Sequence, residues 1–287
     1  MAYGTPRSLN DVEAYYTDIR HGRPPPPDLL SELTERYRAI GGSPLLAITE
    51  AQASGLENRL GIKTYVGLKH ADPFIADAVA RMAADGVDRA VGLVLAPHYS
   101  KMSVGDYKRR SLEAAVTIGW AGVLDMIESW HLEPGYVDFL ARELRATLTS
   151  VGTGATVVFT AHSLPERILV AGDPYSDQLH ATAEAVGRAV GLKQWTVGWQ
   201  SGSRTGEAWL GPDILEIIER EAAGGAEAVV VCPCGFVSDH LEVLYDLDIE
   251  AAELAEKLGI GFARTHMPND DPDVLDALAT VVRRALT

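Results

Sequence analysis

The chain has 287 residues, 47% of them hydrophobic and 23% charged, enough for one large or two ordinary globular domains. A formal charge of −15 disfavours a nucleic-acid partner held by a basic surface, and two cysteines are too few for a disulfide framework. No apolar run nears the roughly 18–20 residues that span a bilayer, so no membrane span is expected. The opening MAYGTPRSLNDVE lacks the basic region and apolar run of a signal peptide, which makes the cytoplasm the expected compartment.

In chain order, short β-branched runs alternate with longer helical patterns. MAYGTP reads as the end of a first strand and its turn. Only Met1 and Ala2 precede Tyr3, whereas a strand usually takes about five residues. The expectation is a truncated first strand, with Met1 an internal methionine of a longer reading frame. Helical patterns at Leu9–Arg20, Pro27–Ile40 and Ile48–Leu60 lead to a strand at Lys63–Leu68. Helix Ala71–Asp85, strand Ala90–Ala96, helix Ser103–Ala115, strand Gly122–Ser129 and helix Pro134–Thr149 follow. Beyond them come strands Thr156–Thr160, Trp195–Gln200, Ala228–Cys232 and Gly261–Thr265. Between and after these strands lie helices Pro174–Val190, Pro212–Ala223, Asp248–Leu258 and Asp271–Ala285.

Strands separated by helices of this length predict βαβ units, hence parallel sheets with right-handed crossovers. The polar, glycine-containing Thr149–Ala155 is where two halves would divide, residues 1–150 and 151–287, each with three or four strands. The last helix is expected to pack back on the first half. Pro24–Pro27 reads as a stiff loop entering a helix. No P-loop and no glycine-rich dinucleotide fingerprint occurs, so no nucleotide cofactor is implied.

Two strand ends carry the chemistry. FTAHSLP (Phe159–Pro165) places His162 just past one strand, and GFVSDHLEVLYD (Gly235–Asp246) places Glu242 where a helix should begin. Ligands of open α/β sheets bind outside the carboxyl ends of strands, so one cleft holding both is expected. A neutral imidazole is a base near pH 7 and a ligand for first-row metals. The plainer alternative is a histidine hydrogen-bonded at a strand–turn junction. Glu242, Asp246 and Glu250 are spaced by four, which on an α-helix advances about 40° per step and sets them on one stripe. That stripe is either a solvated acidic face or a carboxylate path for a hydrated cation. Asp239 and His240 read as a helix-capping pair. Trp195, Trp199 and Trp209 read as core, or as the lining of a pocket for a flat macrocycle. Cys232 and Cys234 read as buried structural residues.

Further motifs surround these two. MAYGTP, the R-x-G-R of Arg20–Arg23, RYRAIGGSPL, GLKH, APHYS, AHSLPE, GDPY-x-x-Q, WQS…WLGP and GF-x-x-DHLE-x-LYD follow one another along nearly the whole chain. In that order they resemble the ferrochelatases. With tyrosine in the first motif, the pattern is similar to the coproporphyrin ferrochelatases of Gram-positive bacteria. The resemblance implies two Rossmann-like chelatase domains, each a small parallel sheet flanked by helices, with the porphyrin in the cleft between them. It implies insertion of ferrous iron into coproporphyrin III in heme biosynthesis, by a cytosolic protein taken here as a monomer. His162 and Glu242 fall on the iron and proton side of the ring, and Tyr3 on the opposite face as axial ligand. Arg20, Arg36, Tyr37, Ser43 and Tyr107 would contact the porphyrin and its propionates, with Asp246 and Glu250 continuing the metal path. Lys69 and His70 lie near the inner site with a weaker claim. Some actinobacterial relatives hold an iron–sulfur cluster on four cysteines; this chain has two, so no cluster and no cofactor beyond the substrate iron is expected. The residues alone leave open a chelatase for protoporphyrin or for cobalt or another divalent metal. They also leave open a tetrapyrrole-binding carrier without turnover.

Overall fold

The computed structural model describes residues 1–152, 154–202 and 206–287. The expected dividing stretch contains Thr153, and the gap in WQS…WLGP contains Ser203, Arg204 and Thr205; these lie outside the described residues.

The first half runs α1 (Val12–Ile19), α2 (Pro27–Ala39), α3 (Leu45–Leu60), α4 (Ile75–Ala84), β1 (Arg89–Leu93), α5 (Val104–Ile118), β2 (Val123–Ile127) and α6 (Pro134–Val151). The second runs β3 (Ala155–His162), α7 (Arg167–Val170), α8 (Tyr175–Val190), β4 (Thr196–Gln200), α9 (Ile214–Ala223) and β5 (Ala228–Cys232). It ends with α10 (Leu241–Leu244), a π-helical turn (Asp246–Ala251), α11 (Ala252–Leu258), β6 (Gly261–Arg264) and α12 (Pro272–Leu286). Local chemistry sets many of these limits. Pro27, Pro134 and Pro272 open α2, α6 and α12, where a missing N–H costs nothing. Asp213 and Glu216 close a reciprocal capping box at the start of α9. Left-handed Gly61, Gly119, Gly191 and Gly259 end α3, α5, α8 and α11.

β4, β3, β5 and β6 form a four-stranded parallel sheet in that order, covered on both faces. Alternate side chains of β3 and β5 divide cleanly between the faces, as a pleated strand requires. Val157, Phe159, Ala161, Val230 and Cys232 pack with α6, α8 and α12, whereas Val158, Val229 and Val231 pack with α9 and the π turn. The first cluster also takes in Leu56 of α3 and Leu93 of β1, so one apolar core runs through both halves. α12 lies against α3: Arg59 donates to Asp276 at 2.5 Å and Arg283 donates to the Arg59 carbonyl at 2.7 Å. Among the described residues, no helix is long and apolar enough to cross a membrane.

The first half departs from expectation. Its ladder has two strands, β1 and β2, instead of three or four. Lys63–Leu68 does not form a strand; Leu68 alone makes single bridges, to Ala2 and Phe74. Side chains take up the backbone groups that a ladder would use. Glu57 accepts the Thr64 N–H at 2.7 Å, and Arg81 donates to the Val66 carbonyl at 2.9 Å. Met1–Tyr3 runs between this segment and β1. The Met1 nitrogen donates to the Leu93 carbonyl at 2.7 Å, and the Ala2 carbonyl accepts from Lys69 N–H at 3.0 Å. Gly4 then turns the chain at φ +95, where a Cβ would stand 2.9 Å from that of Ala71.

Candidate active site

β3 and β5 are neighbours, and the loops leaving their carboxyl ends meet. His162 is the last residue of β3. Its Nδ1 donates to the Ser163 carbonyl, which leaves the Nε2 lone pair free, and its own carbonyl accepts from the Tyr175 hydroxyl at 3.0 Å. Nε2 faces Glu242 Oε1 at 3.6 Å, and the two side chains keep 34% and 29% of their surface open.

Gly235 permits this approach. Its N–H donates to the Thr160 carbonyl at 2.9 Å, and a Cβ there would stand 2.3 Å from Ala161 Cβ. The GFVSDH loop therefore lies flat on the end of β3. His240 closes on the other oxygen of Glu242, with Nε2 3.6 Å from Oε2 and Nδ1 donating to the Ser238 carbonyl at 2.9 Å. Burial opposes a charge on His240, but Glu242 outweighs it and the imidazole pKa rises. Burial would likewise raise the Glu242 carboxyl, yet His162, His240 and Arg36 together hold it down at about 2.

The acidic stripe is not α-helical. Glu242 sits in the four-residue α10, while Asp246 and Glu250 ride the π turn, whose wider i→i+5 closure replaces the expected α-helical geometry there. Asp246 is only 6% exposed, which excludes a solvated face for that residue. Ser201 donates to its Oδ2 at 2.5 Å and Arg36 to its Oδ1 at 3.4 Å. Burial dominates nonetheless, the charge of Glu242 adds to it, and the Asp246 carboxyl is pushed up to about 7. Glu250 lies near enough to raise Asp246 and Asp213 further.

The residues expected around the porphyrin divide into three groups. Arg36 stacks 4.8 Å over the Tyr245 ring and pairs with Glu32 at 3.1 Å as well as with Asp246. Tyr37 is buried in the small cluster of α1 and α2 against which Leu241 packs, so that hairpin leans on the Glu242 turn. Burial pushes its hydroxyl up to about 12. Tyr3 keeps 41% of its surface open but lies deep enough that burial, then the charge of Glu242, raises its hydroxyl. Beside it are the His70 ring at 4.6 Å and Lys69 Nζ at 5.8 Å. His70 meets Asp18 at 2.7 Å, and burial lowers its pKa to about 4; Lys69 pairs with Asp106 at 2.8 Å.

Tyr107, Ser43 and Arg20 make local contacts of their own. Tyr107 is buried, 5.4 Å beneath Lys69 Nζ. Ser43 accepts the Leu45 N–H at 3.3 Å at the start of α3. Arg20 ends α1 with a buried Nε that has no hydrogen-bond partner, an unused donor suited to an incoming carboxylate.

Sequence reading did not place in the site His240 and Gln200, which contact Glu242, or Ser201, which contacts Asp246. His240 occupies the N-cap of α10 in extended backbone, but its side chain makes no cap bond, which corrects the capping expectation. Asp239 instead pairs with Arg264 at 3.0 Å and accepts from Asn269 at 2.7 Å. The one available signal was the H-x-E spacing of His240 and Glu242. Trp195 and Trp199 are core, packed edge-on against Phe159 and tilted against Tyr175, while Trp209 stands 6.4 Å from the His162 ring. Cys232 and Cys234 are fully buried. Among the described residues, no three His, Cys, Asp or Glu side chains are grouped as a metal site.

Helix-flanked parallel sheets with an imidazole–carboxylate pair at neighbouring strand ends define an α/β protein with its candidate site outside the carboxyl ends of the strands. The structure of SirB from Bacillus subtilis with Fe3+ has this fold, with a TM-score of 0.60 over 83% of this chain and 88% of that one, at 12% identity. Residues 1–286 match the sequence model of the family described as Ferrochelatase, and the chain belongs to that family. The coproporphyrin III ferrochelatase of Halalkalibacterium halodurans is 46% identical over 100% of this chain and 96% of its own. That of Anoxybacillus flavithermus is 46% identical over 98% and 93%, and that of Bacillus subtilis 45% over 100% and 96%.

Proposed function

We propose that this protein inserts ferrous iron into coproporphyrin III to give iron-coproporphyrin in heme biosynthesis, acting as a lyase-class metal chelatase. The observation that carries the reading is the His162–Glu242 pair, 3.6 Å apart at adjoining strand ends. Insertion exchanges two pyrrole N–H protons for one divalent cation, so charge is conserved. His162 offers an unoccupied Nε2 and takes the two protons one after the other, releasing the first to solvent before it accepts the second, as the ring bends a pyrrole nitrogen out of plane. Glu242, held at about 2, is a poor proton acceptor and instead stays anionic, steadying the imidazolium and then the iron. Asp246, near 7, changes its proton occupancy in the working range, and with Glu250 it leads protons out or the cation in. Tyr3 binds iron from the opposite face, flanked by Lys69 and His70, while Arg20, Arg36, Tyr37, Ser43 and Tyr107 hold the porphyrin and its four propionates.

In this reading residues 1–150 and 151–287 are the two domains that bound the porphyrin cleft. The protein works as a cytoplasmic monomer without an iron–sulfur cluster or other cofactor. The test is turnover: purified protein with excess coproporphyrin III and ferrous iron under anaerobic conditions should form many equivalents of iron-coproporphyrin. At most one equivalent per chain would make it a carrier, and faster insertion of cobalt or zinc would refute iron as its metal.

A further inference from the structure

Gln200 is fully buried at the end of β4, where the sheet register sets it beside His162. A buried primary amide must place its donors and its acceptor. The Glu242 main-chain carbonyl only accepts, so Nε2 faces it, at 2.9 Å. That orientation turns Oε1 to the Thr160 hydroxyl, which donates at 2.9 Å. Thr160 and His162 share one face of β3, being two residues apart. The Gln200 main-chain carbonyl also accepts the Ser163 N–H at 2.8 Å. One residue is thus bonded to β3 on both sides of His162 and to the backbone of Glu242.

We infer that Gln200 is a positioning residue for metal insertion: its amide fixes the separation of His162 and Glu242 by tying the end of β3 to the turn that carries the carboxylate. The inference rests on the proposed function. The 3.6 Å between Nε2 and Oε1 is too long for a hydrogen bond. It is close to the roughly 3.3 Å between an imidazole nitrogen and a carboxylate oxygen that share a tetrahedral divalent ion. Reacting groups must hold such geometry within about 0.5 Å. Glu242 stands in a helix of four residues that gives way to the π turn, so its own element provides little rigidity. The amide provides it from the sheet.

Gln200→Met keeps the length of the side chain and removes both amide bonds without adding charge. Single-turnover iron insertion should be measured per porphyrin-binding site, counted by fluorescence titration, together with the thermal midpoint. The insertion rate should fall about tenfold, equivalent to about 1.4 kcal/mol of transition-state stabilisation, with porphyrin affinity unchanged. In a Glu242→Gln background the same change should lower the rate by less than about twofold, because the group it positions is already gone. An unchanged rate per site with a lower thermal midpoint, or equal proportional losses in both backgrounds, would show a merely structural amide and overturn the inference. Thr160→Val frees the other end of the amide and should give a smaller loss with the same background dependence. It carries the cycle if Gln200→Met does not fold, and equal losses in both backgrounds there overturn the inference as well. Wild-type protein in the same assay separates the two questions: no insertion by wild type sinks the proposed function, whereas a fast Gln200→Met variant sinks only the role of Gln200.

Discussion

At the scale of single residues, the site gives three polar side chains different environments. His162 keeps a free Nε2, Glu242 is held anionic at about 2, and Asp246 is lifted to about 7. His162→Ala should therefore slow iron insertion by roughly 10²–10⁴-fold while porphyrin binding, followed by absorbance, stays near wild type. Near-normal turnover in that variant would remove the imidazole from the mechanism. The two carboxylates have opposite links to stability. Asp246 holds its proton more tightly folded than unfolded, where it titrates near 3.8, so its stabilising contribution is complete below that value and is lost as pH rises through about 7. Glu242, depressed from 4.5 to about 2, contributes above 4.5 and loses that contribution as pH falls toward 2. Asp246→Asn should accordingly flatten the fall of the thermal midpoint between about pH 4 and pH 7. It should also remove a rise in KM for ferrous iron as the pH drops below about 7. A wild-type iron KM that does not change across this range would contradict the role given to Asp246.

At the scale of elements, the site depends on how tightly the loop after β5 lies on the end of β3. Gly235→Ala places a Cβ 2.3 Å from Ala161 Cβ and 2.6 Å from its Cα, neither of which is a flexible side-chain end. The change should cost about 1–3 kcal/mol in denaturant unfolding and should lower kcat more than it alters porphyrin affinity, as Glu242 is carried away from His162. A stable, fully active variant would show that the loop has room to spare. The same elements show what the sequence discloses. Continuous apolar runs within β3 and β5, and capped amphipathic helices such as α9 and α12, were legible because each carries its own apolar pattern. The pairing of His162 with Glu242 followed from where strands end. Lys63–Leu68 misled because β-branched content says nothing about available partners: Glu57 and Arg81 claim its backbone. The π turn was illegible because four-residue spacing reads as α-helix, and the H-x-E spacing of His240 and Glu242 reads as a helix start. Gln200 and Ser201 act through contacts some 40 residues away in sequence, at 42 and 45 positions, which no local period reveals.

At the scale of the whole molecule, a chain of net charge −15 must bind an anionic porphyrin, and in the proposed function its arginines offset the repulsion of the ligand's carboxylates. Arg20 keeps an unused buried donor, and Arg36 spans Glu32 and Asp246 between the two halves. Each well-formed charge-assisted hydrogen bond to a propionate is worth roughly 1.5–3 kcal/mol, so four propionates should be preferred to two. Arg36→Ala should narrow that preference. The most direct measurement is anaerobic competition for ferrous iron between coproporphyrin III and protoporphyrin on the purified protein. The account predicts a higher kcat/KM for coproporphyrin III, by about tenfold or more if one such bond differs between the two. Equal specificity constants, or a preference for protoporphyrin, would contradict it.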